Sequence, residues 1–243
     1  MCVLESGQVI MFDLQGEDCV LSILPRLGAE TLVQCCLCTG IPKGSAQSDG
    51  RRQTTTGLVT LSSDARLYLV RDLADPQPPV MLAGGQSLVE AGSDRRFLCM
   101  RAIEPQFTKS NSVEVLLSTH DQSIVVASRT ESRDQNLQEK LSAPVLQMAV
   151  APNGRYVACF AADGNLSVMQ TSFSKKVLDF DTKTAVAPLQ LVWCGEDSVV
   201  LRWKQLMLMV GPFGHFLKYR YISPYIPGNL SYRAPVATET RSL

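Results

Sequence analysis

The residues with the best spacing for nucleophilic chemistry lie in the sequence STHDQS. Asp121 follows His120 and could orient its imidazole, and Ser118 or Ser123 would then supply the nucleophile of a hydrolase. Adjacent residues of a turn usually point apart, however, and a catalytic triad is defined by geometry rather than by adjacency. The other histidine, His215, also falls in a predicted turn. We therefore interpret His120 as part of a hairpin tip and predict no catalytic residue.

Cysteines form the densest group of possible metal ligands, in the sequence VQCCLCTG. A structural zinc site needs four ligands, commonly from two Cys-x-x-Cys pairs. Cys35, Cys36 and Cys38 do not have that spacing, and neither a second pair nor a nearby histidine completes the set. On a strand, Cys36 and Cys38 would face one side and Cys35 the other. We predict buried free thiols of a reducing compartment and no metal.

Glycine and arginine patterns give no support for a nucleotide or nucleic-acid ligand. The chain has neither a G-x-x-x-x-G-K-[ST] loop nor a G-x-G-x-x-G motif after a strand, and Gly211 and Gly214 bracket a proline-containing turn. The basic pairs Arg51–Arg52 and Arg95–Arg96 lie in polar segments without interleaved aromatic residues, which indicates solvated loops. Lys plus Arg and Asp plus Glu both number 23, so no overall field favours nucleic acid or anionic lipid.

Short β-strands joined by polar turns are the elements that must position these side chains. Strand-turn-strand patterns occur over Val3–Phe12, Leu58–Val70 and Val113–Ala127. Their apolar runs are rich in β-branched residues, and the polar clusters between them tolerate turn geometry. The polar insertions Pro42–Thr56 and Asp94–Asn111 are predicted to be surface loops.

The most regular part of the chain lies further on, where two units of similar layout follow one another. Each unit, Gln147–Met169 and Gln190–Val210, has three short apolar runs separated by turns. The interval from Gln147 to Gln190 falls within the ~40–45 residues typical of propeller blades. With 45% apolar residues the chain can bury a sizeable core. We predict an all-β fold, a partial β-propeller of about four to five incomplete WD-repeat-like blades.

Helix signals are sparse. Arg133–Leu141 is the best candidate, and its few apolar positions favour a solvated connection over a docked helix. Leu82–Ala91 is weaker because it contains Gly84 and Gly85.

The two tryptophans, Trp193 and Trp203, lie on adjacent strands of one predicted hairpin. Large rings bury much apolar area, so we predict that both anchor the packing between neighbouring blades. Exposure of either ring for a partner is the alternative.

Three sequences in the second half of the chain carry a family resemblance: APNGRYVACFAADGNLSVM, APLQLVWCGEDSVVLRW from Ala187 to Trp203, and LMLMVGPFG from Leu206 to Gly214. On these residues, the run from Gln147 to Tyr221 resembles the N-terminal domain of the vacuolar protein sorting subunit sixteen. The last two sequences together are similar to plant and green-algal members. VLESGQVIMFDL and IEPQFTKSNSVEVLL resemble the same domain more loosely.

The resemblance implies a non-enzymatic scaffold subunit of the class C tethering complexes HOPS and CORVET, acting in vesicle-mediated protein transport and vacuole fusion. It implies a cytoplasmic protein, peripheral to late endosomal and vacuolar or lysosomal membranes through its complex. The implied partners are the other class C subunits and, indirectly, Rab GTPases and SNAREs. No cofactor and no small-molecule substrate is implied.

The family resemblance also sets expectations for the domain boundaries. Residues 1–221 are predicted to form the partial propeller, and residues 222–243 an irregular, disordered tail. The first residues already lie within a predicted strand and the family's α-solenoid is absent, so we expect a truncated chain. Two other function classes stay open: a generic propeller adaptor in another complex, and a propeller enzyme. The enzyme would require several Asp, Glu or His residues facing a central channel.

Overall fold

The computed structural model describes residues 2–3, 9–12, 20–24, 31–43, 53–89 and 95–220. Apart from three short 3-10 helices, every regular element in these residues is a β-strand. The strands are β1 (Cys2–Val3), β2 (Val9–Phe12), β3 (Val20–Leu24), β4 (Leu32–Pro42), β5 (Thr54–Ser62), β6 (Leu67–Val70), β7 (Val80–Met81), β8 (Phe97–Ile103), β9 (Glu114–Thr119), β10 (Ile124–Ala127), β11 (Ser132–Asp134), β12 (Val145–Val150), β13 (Tyr156–Ala161), β14 (Asn165–Gln170), β15 (Lys176–Asp181), β16 (Gln190–Cys194), β17 (Ser198–Arg202), β18 (Leu206–Val210) and β19 (Phe216–Arg220).

Each sheet is built from strands that follow one another in the chain. β1–β3 form a three-stranded sheet, and β4–β7, β8–β11, β12–β15 and β16–β19 form four-stranded sheets. All pairings are antiparallel, as in the blades of a β-propeller. The predicted all-β fold class of blade-type sheets is confirmed.

The chain divides into two compact units, residues 1–136 and residues 137–243. Within the first unit, β4 lies beside β8; within the second, β12 lies beside β16. The first strands of two successive four-stranded sheets are therefore neighbours in each unit, which is the arrangement that radial blades produce.

Burial differs among the strands of a sheet and explains their sequences. The second strand β13, YVACFA, is buried at its last five positions and is a nearly continuous apolar run. The fourth strand β15, KVLDFD, alternates between half-buried and exposed residues, as a sheet edge does. The sequence patterns therefore indicate second and third strands clearly and fourth strands weakly.

Each unit has its own apolar core between two sheets. In the first unit the core includes Val59 and Leu61 of β5 and Val115 and Leu117 of β9. In the second unit it includes Phe160 of β13, Leu201 of β17 and nine other buried residues. These are Ala149, Ala158, Leu166, Val168, Leu191, Val199, Trp203, Leu208 and Val210.

The prediction of a surface loop over Asp94–Asn111 was wrong for its central residues. Residues 97–103 of the predicted loop Asp94–Asn111 form β8, the first strand of its sheet. The sequence FLCMRAI is apolar enough for a strand, but the polar residues on either side obscured it. Residues 104–111 of the predicted loop do form a loop, which contains a 3-10 turn at Pro105–Phe107. In the other predicted loop, Pro42–Thr56, the residues at 44–52, which include Arg51–Arg52, lie outside the described residues.

In their described residues, neither of the two helix candidates forms an α-helix. Arg133–Leu141 begins in the edge strand β11 and continues through a 3-10 turn at Leu137–Glu139. Leu82–Ala91 contains a 3-10 turn at Ala83–Gly85, where Gly84 has a φ of 65°. The predicted tail, residues 222–243, lies outside the described residues.

Candidate functional site

The four residues considered for a Ser-His-Asp triad have other partners. Nδ1 of His120 accepts a hydrogen bond from the backbone N–H of Arg96 at 3.2 Å. Ser118 Oγ accepts a hydrogen bond from the backbone N–H of Cys99 at 3.1 Å, and Ser123 Oγ donates to Asp134. Because the imidazole is directed to the backbone at the hairpin tip, the structure does not bring these side chains together as a nucleophile and its base.

An ion-pair network connects this hairpin tip to the neighbouring edge strand. Arg95 forms ion pairs with Asp134 and, at 3.2 Å, with Asp121. Partial burial opposes the charge on Asp134, but hydrogen bonds from Ser123 Oγ and from the backbone N–H of Asn136, together with Arg95, outweigh burial and lower its pKa. The interpretation of Arg95–Arg96 as a solvated basic pair was therefore wrong for Arg95, whose side chain is only 22% exposed.

Removing this arginine is expected to destabilise the first unit in a pH-dependent way. We expect Arg95→Leu to lower the free energy of unfolding by about 1–3 kcal/mol at neutral pH, because two carboxylates lose their cation. The folded pKa values of Asp121 and Asp134 are lowered, so their stabilisation is present above the ordinary value of ~3.9 and is lost as the pH falls through the folded values. Urea denaturation followed by far-UV circular dichroism at pH ~7 and pH ~3 should show the difference from the parent chain shrinking at acid pH.

A matched control for that prediction is Arg133→Leu. Arg133 pairs with Glu131, but both side chains are more than half exposed, at 71% and 54%. Solvent screens such a pair, so its loss should cost no more than about 0.5 kcal/mol. Equal effects of the two substitutions at neutral pH, or a cost for Arg95→Leu that does not change with pH, would contradict a coupled network.

The cysteines of β4 alternate as predicted. Cys36 and Cys38 are buried in the core of the first unit, whereas Cys35 is only partly buried. Burial raises the pKa of Cys36 and of Cys38 to about 12, which keeps both thiols protonated and unreactive at neutral pH. In the described part of the chain, no three His, Cys, Asp or Glu residues come together as metal ligands. Cys36 and Cys38 therefore serve as core residues.

Both tryptophans pack between the two sheets of the second unit, as predicted. Nε1 of Trp193 donates to the carbonyl oxygen of Ala149 at 2.8 Å and so connects β16 to β12. Trp203 is 9% exposed, and its ring meets Phe160 of β13 edge to face, with centroids 6.3 Å apart. Nε1 of Trp203 donates to the carbonyl oxygen of Val186 at 2.8 Å, so neither indole leaves its donor unpaired.

Each unit also has a groove between two of its four-stranded sheets, at the end where their first and third strands finish. The groove of the second unit, which we call the acidic groove, has a volume of about 270 Å³. Its walls are mainly apolar and include Tyr156, Val177, Leu178 and Trp193, and the turn Glu196–Asp197 forms one edge.

The groove of the first unit, of about 440 Å³, has a different chemistry. Arg71 and Arg129 line it together with Ser110, Asn111 and Ser112. Neither groove was predicted, because each is assembled from turns of two sheets and no single segment carries its pattern.

In the part of the chain that the structure describes, no helix is long and apolar enough to cross a bilayer.

Comparisons with known proteins agree with the resemblance seen in the sequence. A family model described as Vps16, N-terminal region, matches residues 1–226. Protein VACUOLELESS1 of Arabidopsis thaliana is 33% identical over 142 residues, which are 53% of this chain and 17% of that protein. A probable vacuolar protein sorting-associated protein 16 homolog of Schizosaccharomyces pombe is 39% identical over 80 residues, 32% of this chain and 10% of that protein.

A third relative, the vacuolar protein sorting-associated protein 16 homolog of Dictyostelium discoideum, is 29% identical over 162 residues. That match covers 62% of this chain and 17% of the relative, so this chain spans a small part of the length of each curated relative. The family match, in contrast, extends over nearly the whole chain and includes all the sheets described above. The chain belongs to the family described as Vps16, N-terminal region.

Proposed function

We propose that this chain is a non-enzymatic scaffold subunit acting in vacuolar protein sorting, within a tethering complex of the HOPS and CORVET class. The observation that carries the proposal is the family match over residues 1–226. The names of the relatives support the vacuolar protein sorting part of this proposal, since two are vacuolar protein sorting-associated protein 16 homologs.

The chemistry of the described side chains is compatible with a scaffold. The Ser, His and Asp residues at the β9–β10 hairpin tip are held by structural hydrogen bonds and ion pairs, and the cysteines of β4 have pKa values raised by burial. Sheets joined by short turns present rigid surfaces with grooves, which suit protein contacts.

The proposed partners are the other class C subunits and, through them, Rab GTPases and SNAREs. The proposed location is cytoplasmic, peripheral to late endosomal and vacuolar or lysosomal membranes. Residues 1–221 are proposed as the propeller-type domain, and residues 222–243 as an irregular tail.

An exchange experiment in fission yeast tests this role. In cells that lack their own homologue, the full-length S. pombe protein would be produced with its matching N-terminal region replaced by residues 1–226 of this chain. We expect the chimaera to co-purify with the other class C subunits and to restore delivery of a vacuolar hydrolase. A chimaera with an unrelated WD-type propeller is the control.

Two outcomes would count against the proposal. One is a chimaera that assembles but sorts no better than the control with the unrelated propeller. The other is co-purification of this chain, expressed alone, with a different complex and with class C subunits only at background level. The second result would favour the generic adaptor.

A further inference from the structure

The acidic groove combines an apolar interior with an edge formed by two adjacent acidic residues. It lies between the β12–β15 and β16–β19 sheets, and the side chain of Trp193 is fixed in it by the hydrogen bond from Nε1 to Ala149. Val177, on the edge strand β15, is 41% exposed although it lines the groove. Beside it, the turn that follows Pro212 presents Phe213, which is 87% exposed. The groove therefore has a rigid aromatic wall and apolar surface still open to water.

The charged edge is the turn between β16 and β17. Glu196 accepts a hydrogen bond from Nδ2 of Asn153 at 3.2 Å, and Asp197 accepts one from Oγ of Ser198 at 3.0 Å. Among the residues that the structure describes, neither carboxylate forms an ion pair with a lysine or arginine. Two adjacent acids without a cation favour a positively charged ligand and disfavour phosphate, nucleic acid and anionic lipid.

The size of the groove restricts the ligand further. A volume of about 270 Å³ lies just below the ~300 Å³ at which pockets for small-molecule ligands begin. A space of this size suits one or two large side chains inserted from a partner whose backbone passes along the surface. An apolar anchor would be enclosed by Trp193, Val177 and Leu178, and a basic neighbour would reach the acidic edge.

We propose that the acidic groove binds a short peptide segment of a partner protein, in which a bulky apolar residue is flanked by lysine or arginine. The assignment goes beyond the proposed function, because it concerns the ligand class of one groove and holds whichever complex contains the chain. The groove of the first unit serves as an internal comparison: it has the corresponding position between its sheets but carries Arg71 and Arg129. The preference for basic peptides is thus a property of the residues in the acidic groove, not of inter-sheet grooves as such.

The test is a screen of a random peptide library displayed on phage against the full chain, followed by affinity measurements on the enriched peptides. Val177→Asp places a charge on the apolar wall, and Val186→Asp is its matched control, because Val186 is 67% exposed and does not line the groove. Glu196→Lys reverses one charge of the edge. Glu139→Lys is the control for it, since Glu139 is exposed and lies in the same unit but outside the groove.

We expect enrichment of peptides with a large apolar residue and a basic residue within two positions of it. Val177→Asp should weaken their binding by about tenfold or more, because the anchor would be buried against a charge. Glu196→Lys should weaken it by roughly threefold to fivefold, with less effect at high salt, because an exposed charge pair is screened. Both control variants should bind as the parent chain does.

The proposal would be overturned by any of three results. The first is that no peptide is enriched on the parent chain relative to the Val177→Asp chain. The second is that acidic peptides are enriched. The third is that the Val177→Asp and Val186→Asp chains bind the enriched peptides with equal affinity. Circular dichroism of each variant identifies any loss of binding that comes from unfolding. If Val177→Asp unfolds, Trp193→Phe provides a second variant of the groove wall. None of these results depends on membership of a tethering complex, so they are separable from the exchange experiment.

Discussion

Phe160→Ala is expected to lower the free energy of unfolding of the second unit by about 3–5 kcal/mol. Phe160 has no exposed surface and lies on β13, where its ring meets Trp203 of the neighbouring sheet edge to face. Truncation removes both the buried apolar area and this aromatic contact, and it leaves a cavity that the two sheets cannot fully close. Urea denaturation followed by tryptophan fluorescence measures the effect directly, because both tryptophans of the chain are in the second unit.

Phe213→Ala is the matched control, since it makes the same chemical change at a side chain that is 87% exposed. A surface truncation of this kind should alter the free energy of unfolding by no more than about 0.5 kcal/mol. If the two alanine variants lost stability equally, Phe160 would not be a core residue of the second unit. A loss below about 1 kcal/mol for Phe160→Ala would lead to the same conclusion.

Gly164→Ala is the second change with a large expected effect, about 2–4 kcal/mol. Gly164 lies in the turn between β13 and β14 with a φ of +91°, a conformation that an L-residue rarely adopts. A Cβ there would also overlap the backbone carbonyl oxygen of Thr184, which cannot move without shifting the connection to the next sheet. The midpoint of urea denaturation, again followed by tryptophan fluorescence, should fall accordingly.

The contribution of the steric overlap can be separated from that of the backbone conformation. Gly195 also has a positive φ, +67°, but the nearest atom to a Cβ at that position is Asp197 Oδ1, at 3.9 Å. Gly195→Ala therefore carries only the conformational penalty, about 1 kcal/mol. Equal losses of unfolding free energy for Gly164→Ala and Gly195→Ala would show that the connection at Thr184 moves to accommodate the Cβ. The close approach would then not constrain the turn.

The hairpins could be predicted because their information is local. Leu58–Val70 and Val113–Ala127 became β5–β6 and β9–β10, since apolar runs on both sides of a polar turn specify two antiparallel strands. β8 was missed for the opposite reason: its partner β9 comes after a long polar loop, so no tight turn marked the pair. Edge strands such as β15 were also hard to recognise, because exposed and half-buried residues alternate there.

The candidate sites were far less predictable than the strands, because they depend on contacts between residues distant in sequence. From the sequence, Arg95 was interpreted as one residue of a solvated basic pair. Asp134 comes close to it only because β11 pairs with β10. The acidic groove likewise needs β15 of one sheet and the β16–β17 turn of the next. The packing of the tryptophans was predictable in kind, from their size and strand positions, but not in its partners Ala149 and Val186.

The consecutive order of strands within each sheet has a consequence for how the chain folds during synthesis. The β12–β15 sheet begins at Val145 and ends at Asp181, and each of its strands pairs with the strand that precedes it. Every ladder therefore closes a short loop, so contact order within a sheet is low and the entropic cost of closure is small. A ribosome-bound chain can complete one sheet before the next has emerged, which limits the time during which unpaired strand edges are available to other nascent chains.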